Sequence, residues 1–417
     1  WCFSFWEQLL LTFPVFFFKV LSIMKQFHVL IAVALTAHCL VLSAQDWPQY
    51  NGPSQAAPII EGTVAGLSAD AVWTAQVGTG FSAVSIADGF AYTMGNQDDQ
   101  DSVVCLNEKT GAEVWRHSYA CKLNPRLYKG GPNATPTIVD GKVYTLSREG
   151  HVFCLSAKDG AVLWQRQIAQ EEGYALPGFG FSGSPLVVKD MLVLNAGADG
   201  LALSLADGKT LWKSGAGKAG YASPMLYDEK TVLIYGEFGL SALNLSDGKR
   251  VWHFPWKTKY GINSPMPIVK GQQIFISSGY GMGCALIDVS GGEAKQIWKN
   301  KTLECQMCGP VLIGDHLYGV SAYRSKPGEL RCVEFATGKQ VWSQGGFGHG
   351  AVIAVGETLI VQAEKGAVAL VKADAGAYTE LARQQLLSDI CWTQPSVANG
   401  NLFVRNAPGK VLCVPLK

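Results

Sequence analysis

Read for apolar and polar positions, the chain is a succession of short runs rich in Val, Ile, Leu and Ala, cut by Gly, Asp, Asn and Pro. The stretch Ser184–Trp212, SPLVVKDMLVLNAGADGLALSLADGKTLW, sets the pattern. Pro185–Lys189, Met191–Ala196 and Leu201–Leu205 read as three strands, and Asp207-Gly208 turns the chain into a fourth that begins over Lys209–Trp212. The 3.6-residue apolar period of a helical repeat is absent.

The unit recurs. Gly followed four residues later by Trp appears as Gly111/Trp115, Gly160/Trp164, Gly208/Trp212, Gly248/Trp252 and Gly338/Trp342, and with a longer turn as Gly292/Trp298. With Trp73 before them and Leu381 near the equivalent place after them, eight outer strands are marked, 39–49 residues apart. That spacing fits a four-stranded propeller blade and exceeds a leucine-rich repeat. The expected fold class is all-β, an eight-bladed β-propeller of four-stranded blades over residues 71–417. Gly supplies the positive φ of a tight turn, and Trp offers apolar area between blades with an indole N–H free to find a carbonyl.

Inner strands are expected to begin near Val84, Pro136, Pro185, Pro224, Pro265, Pro310, Val352 and Pro395. The last set, Pro395–Ala398, Leu402–Asn406 and Val411–Pro415, has only three strands before Lys417. The N-terminal outer strand Ala71–Gln76, which carries Trp73, is expected to close the ring beside Val411–Pro415, because an unpaired blade edge would be exposed.

The lines CLNEKTGAEVW, CLSAKDGAVLW, ALSLADGKTLW, ALNLSDGKRVW and CVEFATGKQVW resemble the repeat of the quinoprotein-like (PQQ-repeat) β-propellers, roughly Ala-x-Asp-x-x-Thr-Gly-x-x-x-Trp. The resemblance runs from Trp73 to the C-terminus. It implies the propeller fold and two classes of function, since the repeat builds enzymes and scaffolds alike. One class is a non-enzymatic scaffold like the propeller lipoprotein of the outer-membrane β-barrel assembly machinery. The other is a PQQ-dependent alcohol dehydrogenase, with a quinone and Ca²⁺ in the channel. The chain has no adjacent Cys-Cys pair of the kind many such dehydrogenases carry, and no Ca²⁺-ligand set or catalytic base aligns with particular residues. The scaffold is therefore the expected class, with no cofactor, and PQQ with Ca²⁺ is the alternative.

Charge and targeting narrow the setting. With 34 basic and 33 acidic residues, a net charge of +1 gives no nucleic-acid footprint. Residues 1–23 read as translated upstream sequence, and 24–44 as a secretory signal: Lys25, an apolar run Val29–Leu42, then Leu42-Ser43-Ala44 before Gln45. A membrane anchor is the alternative for the same apolar runs. The expectation is an exported monomer, periplasmic or extracellular, with no membrane span in the mature chain and a protein partner or small ligand on one face. The extension 45–70 opens on Trp47-Pro48 and reaches Gly52-Pro53, an opening familiar in exported members of the family it resembles. It is expected to be a capping extension on the propeller surface.

Nine cysteines follow Ala44. Cys105, Cys154, Cys332 and Cys413 fall at the repeat position where other blades carry Ala202, Ala242 or Ala369, and read as small core residues. Cys305 and Cys308 form a C-x-x-C, read as a local disulfide or two free thiols; without a second pair it is half a zinc site at best. The acidic run Asp98-Asp99-Gln100-Asp101 lacks the spaced ligands of a calcium loop and reads as a solvated turn. Gly178–Gly183 satisfies G-x-G-x-x-G but leads into a strand, so it reads as a loop.

Function is expected on the face that gathers the blade-to-blade connections and the turns between second and third strands. The candidate binding residues there are Arg126, Tyr128, Asn133, Phe179, Phe181, Tyr221, Tyr260, Asn263, Arg324, His349 and Trp392, with Tyr174, Glu237, Glu304 and Arg405 on the same turns. Aromatic and Arg side chains bury area at low entropic cost while keeping a polar end, which suits a binding site. No residue stands out as catalytic.

Overall fold

Seven repeats fold into antiparallel sheets of four strands in sequential order, the eighth sheet takes its outer strand from the N-terminal side, and the eight together form the propeller. The computed structural model describes residues 45–54, 56–126, 128–322 and 327–417. Segments 1–23 and 24–44 of the sequence reading lie outside them. Inner strands run over Ser85–Ala87, Thr137–Val139, Leu186–Val188, Met225–Asp228, Ile268–Lys270, Val311–Ile313, Ala351–Val355 and Ser396–Ala398, defining blades I to VIII. Second and third strands are buried along most of their length, as expected for sheets covered on both faces.

The ring closes as the repeat count requires. Trp73–Gln76 pairs antiparallel with Lys410–Pro415, Trp73 opposite Cys413 and Gln76 opposite Lys410. Arg405, 1% exposed, clamps this seam: its guanidinium donates to the carbonyls of Ser82, Met94 and Gly78 and to Thr93 Oγ1. Burial lowers its pKa to about 9.

The Gly and Trp of neighbouring repeats meet. Trp164 Nε1 donates to Leu205 O of the next blade at 2.9 Å, and Trp212 Nε1 to Leu245 O at 2.8 Å. Gly208, φ +71°, lies flat against Trp164, where an added Cβ would stand 2.8 Å from Cε3. Glycine is thus required twice over, for the turn and for the indole above it. At the seam Trp73 Nε1 likewise donates to Glu108 O at 2.7 Å.

Blade VII departs from the repeat. Leu370, not Ala369, faces the Trp position, and Ala382, not Leu381, occupies it; Leu381 is 47% exposed. The reason is topological. A Trp there would dock on the turn joining the third and fourth strands of blade VIII, and those strands come from opposite ends of the chain. No such turn exists.

The N-terminal extension corrects the sequence reading, for its first part does not lie on the propeller surface as a cap. Trp47, 2% exposed, bridges antiparallel to Ile86 of inner strand I, and Pro48 O accepts from Ile138 N of inner strand II. Asn51 Nδ2 meets Met266 Sδ before inner strand V, and Gln394 Nε2 before inner strand VIII donates to Asn51 Oδ1. The chain then pairs parallel with inner strand VII, Ile59 opposite Ala354 and Ile60 opposite Val355. A segment bonded to inner strands around the ring lies in the central channel, so 46–60 is a plug. It rises antiparallel to strand I, turns, and descends parallel to strand VII. The turn explains Trp-Pro-x-x-x-Gly-Pro: Gly52, φ +79°, packs on the Trp47 indole, where a Cβ would sit 2.9 Å from the ring.

Candidate functional site

The plug closes the channel from one end and leaves a cup of about 260 Å³ at the other, the face of the blade connections. Tyr50, carried by the plug, belongs to its lining. Burial, then Cys308, raises the Tyr50 phenol well above its ordinary pKa.

An arc of rings borders the cup. Trp392 stacks on Phe81 with centroids 5.6 Å apart, Phe81 meets Tyr128 at 5.6 Å, Tyr128 meets Phe179 edge-on at 5.4 Å, and Phe179 meets Tyr221 at 6.0 Å. These residues come from five consecutive blade connections. Hydrogen bonds tie the same loops together: Thr393 Oγ1 donates to Phe81 O, Phe81 N to Pro132 O, Tyr128 Oη to Phe179 O, and Phe179 N to Tyr221 Oη. Deeper in, hydroxyls bridge the entries of inner strands: Thr135 N donates to Ser184 Oγ at 2.9 Å and Ser184 N to Ser223 Oγ at 2.9 Å. A rim tied at each step holds its rings in place without a ligand.

The described lining is uncharged. It contains no Asp, Glu, Lys or Arg; its polar groups are hydroxyls of Tyr, Ser and Thr, the amides Asn133, Gln306 and Gln394, and the Cys308 thiol. Burial raises the Tyr221 and Tyr280 phenols and pushes the Cys308 thiol up to about 12, so these groups keep their protons at neutral pH. His349 packs edge-on against Trp392 at 5.9 Å, and burial lowers its pKa, with Glu364 opposing, so it is neutral too. Among the described residues no group of three or more His, Cys, Asp or Glu is arranged to hold a metal.

Of the candidate residues, the cup gathers Tyr128, Asn133, Phe179, Tyr221 and Trp392. His349 stands behind Trp392, and Tyr260, 58% exposed, stands edge-on to the lining residue Tyr280 at 5.3 Å. Arg126 is exposed and outside the lining, and Arg324 lies outside the described residues. Four others are structural. Phe181 and Tyr174 are buried in the core between blades II and III, Asn263 donates to Gly236 O and Trp256 O, and Arg405 is the seam clamp. Each is engaged within or between the blades and outside the cup lining, a choice that position in the repeat leaves open.

Cys305 and Cys308 are free thiols that part ways. Cys305 is wholly buried with Cys284, Leu286 and Leu317, while Cys308 lines the cup and donates to Trp392 O at 3.6 Å. Nor is the acidic run wholly solvated: Asp98 and Asp99 form its exposed turn, but Asp101 is buried against Asn96 Nδ2 at 2.7 Å. Phe81, Tyr280 and Gln306 sit in connections and a second-to-third-strand turn, where the sequence rule would have found them. Tyr50 carried no such signal.

The family model described as outer membrane protein assembly factor BamB matches residues 99–344, more than half of the chain. The chain belongs to this family. Among curated proteins it is similar to tetrathionate hydrolase of Acidithiobacillus ferrooxidans, 25% identical over 244 residues, 57% of this chain and 41% of that protein. It spans less than half the length of the first curated relatives it matches. Among solved structures, BamB of Moraxella catarrhalis superposes with a TM-score of 0.63 at 18% identity, covering 85% of this chain and 98% of that one. A quinohemoprotein alcohol dehydrogenase of Pseudomonas putida HK5 gives 0.66 at 14% identity, covering 89% and 80%. At these identities the superpositions establish the fold alone. Among the described residues no helix is long and apolar enough to cross a membrane.

Proposed function

We propose that the chain is an exported, monomeric, non-enzymatic scaffold that holds a protein partner or small ligand in the plugged cup. The observation that carries this reading is the lining itself: a braced aromatic rim over an uncharged floor, with no ionised acid, base or nucleophile among the described lining residues. Such a surface buries apolar area and orients a few polar groups, which is what binding requires. Family membership supports it, as does a segment at 24–44 that reads as an export signal.

The quinoprotein alternative meets the wrong donor set. Ca²⁺ takes carboxylate as well as carbonyl oxygens, and the carboxylates of PQQ call for cations; the described lining offers amide oxygens but neither carboxylate nor cation, and Tyr50 takes up part of it. The test is a thermal-shift series with PQQ plus Ca²⁺ beside dye-linked oxidation of a panel of alcohols. No shift and no turnover are expected. A rise of several degrees with turnover of any alcohol overturns the scaffold reading.

A further inference from the structure

The cup's chemistry is selective enough to name a ligand class. A ligand anion would find no Lys or Arg among the described lining residues, and a ligand cation no Asp or Glu. An ion entering would lose hydration with no charged partner among the described lining residues, which favours a neutral ligand. A wholly apolar group fits no better. Asn133 Nδ2 donates to Ser182 Oγ at 3.0 Å and to Phe179 O at 3.3 Å, and Gln394 Nε2 donates to Asn51 Oδ1 at 3.0 Å, so the lining carries hydrogen-bonding amides beside its hydroxyls. Covering such polar lining groups with carbon would cost the desolvation of each. The cup therefore asks for a neutral molecule rich in hydrogen-bonding groups. An arc of rings also borders it, and the negative quadrupole of an aromatic face favours C–H groups carrying slight positive charge. A cavity of about 260 Å³ lies just under the roughly 300–1,000 Å³ of sites for drug-sized ligands, so the guest is small.

We propose that the cup is a neutral-saccharide site, in which the C–H face of a pyranose ring lies on the aromatic arc around Phe81 and Phe179 while its hydroxyls donate to Asn133 and Gln394. A pyranose meets each condition at once: it is uncharged, its hydroxyls project around the rim of the ring, and its axial C–H groups form an apolar face. The inference rests on the scaffold reading and narrows its ligand.

The experiment titrates the purified protein with glucose, galactose, mannose, N-acetylglucosamine and disaccharides of each, reading heat and tryptophan fluorescence. Trp392 is the tryptophan in the cup lining, so its emission reports binding. At least one neutral saccharide is expected to bind with a Kd of about 1 mM or tighter. Phe81→Leu, which keeps apolar bulk but removes the ring face, is expected to weaken binding at least about tenfold, and glucose 6-phosphate to bind at least about tenfold more weakly than the best neutral sugar. Trp392→Phe, which shortens the aromatic arc, is expected to lose the fluorescence change and to weaken the binding read as heat. A melting curve for each variant separates loss of the site from loss of the fold, and Phe179→Leu serves as a second rim variant should Phe81→Leu fail to fold. Absence of saccharide binding up to about 10 mM, or binding indifferent to both rim variants, overturns the proposal. A parallel titration with short aromatic peptides separates the two readings. If a peptide binds and the rim variants abolish it, the saccharide fails and the scaffold stands; if only PQQ with Ca²⁺ binds, both fail.

Discussion

Replacing Trp73 by Ala tests whether the closing strand is an integral part of the ring. Trp73 is 7% exposed, lies on Gly111 of blade I, donates its indole N–H to Glu108 O at 2.7 Å and meets Phe403 at 6.0 Å. Burying an aromatic of about 200 Å² at about 25 cal/mol per Å² is worth about 5 kcal/mol. The orphaned Glu108 carbonyl adds about 1–3 kcal/mol to the loss, and relaxation of the cavity returns part of it, so the expected cost is about 3–5 kcal/mol. Trp212→Ala is the matched control, because Trp212 makes the same contacts, to Gly248 and to Leu245 O at 2.8 Å, in the middle of the chain. Urea unfolding followed by circular dichroism would give both values. Equal losses are expected. A loss below about 1 kcal/mol for Trp73→Ala beside the full loss for Trp212→Ala would mean that the strand peels away at little cost, and would refute the closure argument.

Three further outcomes are expected. Gly208→Ala should cost about 2–4 kcal/mol in the same assay, since it places a Cβ against Trp164 in a left-handed backbone; an effect under about 0.5 kcal/mol would remove the steric argument. Trp47→Ala should cost about 3–5 kcal/mol, and proteolysis should then cut the plug between 46 and 60 before the blades; unchanged stability would mean the plug is not part of the folded ring. Asp101 has its pKa raised by burial to about 6, with hydrogen bonds from Asn96 and Cys121 opposing. A carboxyl raised in the folded state favours folding below its unfolded value near 4 and loses that contribution as pH climbs through about 6, a swing of about 3 kcal/mol. Asp101→Asn should therefore stabilise the protein at pH 7 by up to that amount and flatten the profile between pH 4 and 6. A destabilised variant at pH 7 would reverse the assignment.

Local chemistry written into each repeat made the ring legible. A Gly four residues before a Trp encodes a turn and the indole that will cover it, and repetition fixes the number of blades whatever the packing. The three-stranded last set required the strand at Trp73, because a sheet edge must find a partner. Tertiary structure decided what the repeat does not encode. Ala382 replaces a Trp because blade VIII lacks the turn to receive it, a fact of connectivity. Tyr128, Asn133, Phe179, Tyr221 and Trp392 converge on one cup while Phe181 and Asn263 turn into the sheets, since neighbours in space set which way a loop side chain faces. Tyr50 enters the cup only because the extension folds back through the channel and bonds to inner strands hundreds of residues away. Periodic sequence determines the scaffold through short-range turns and pairings; the cup depends on long-range contacts among non-repeating loops, and those exist only once the ring has closed.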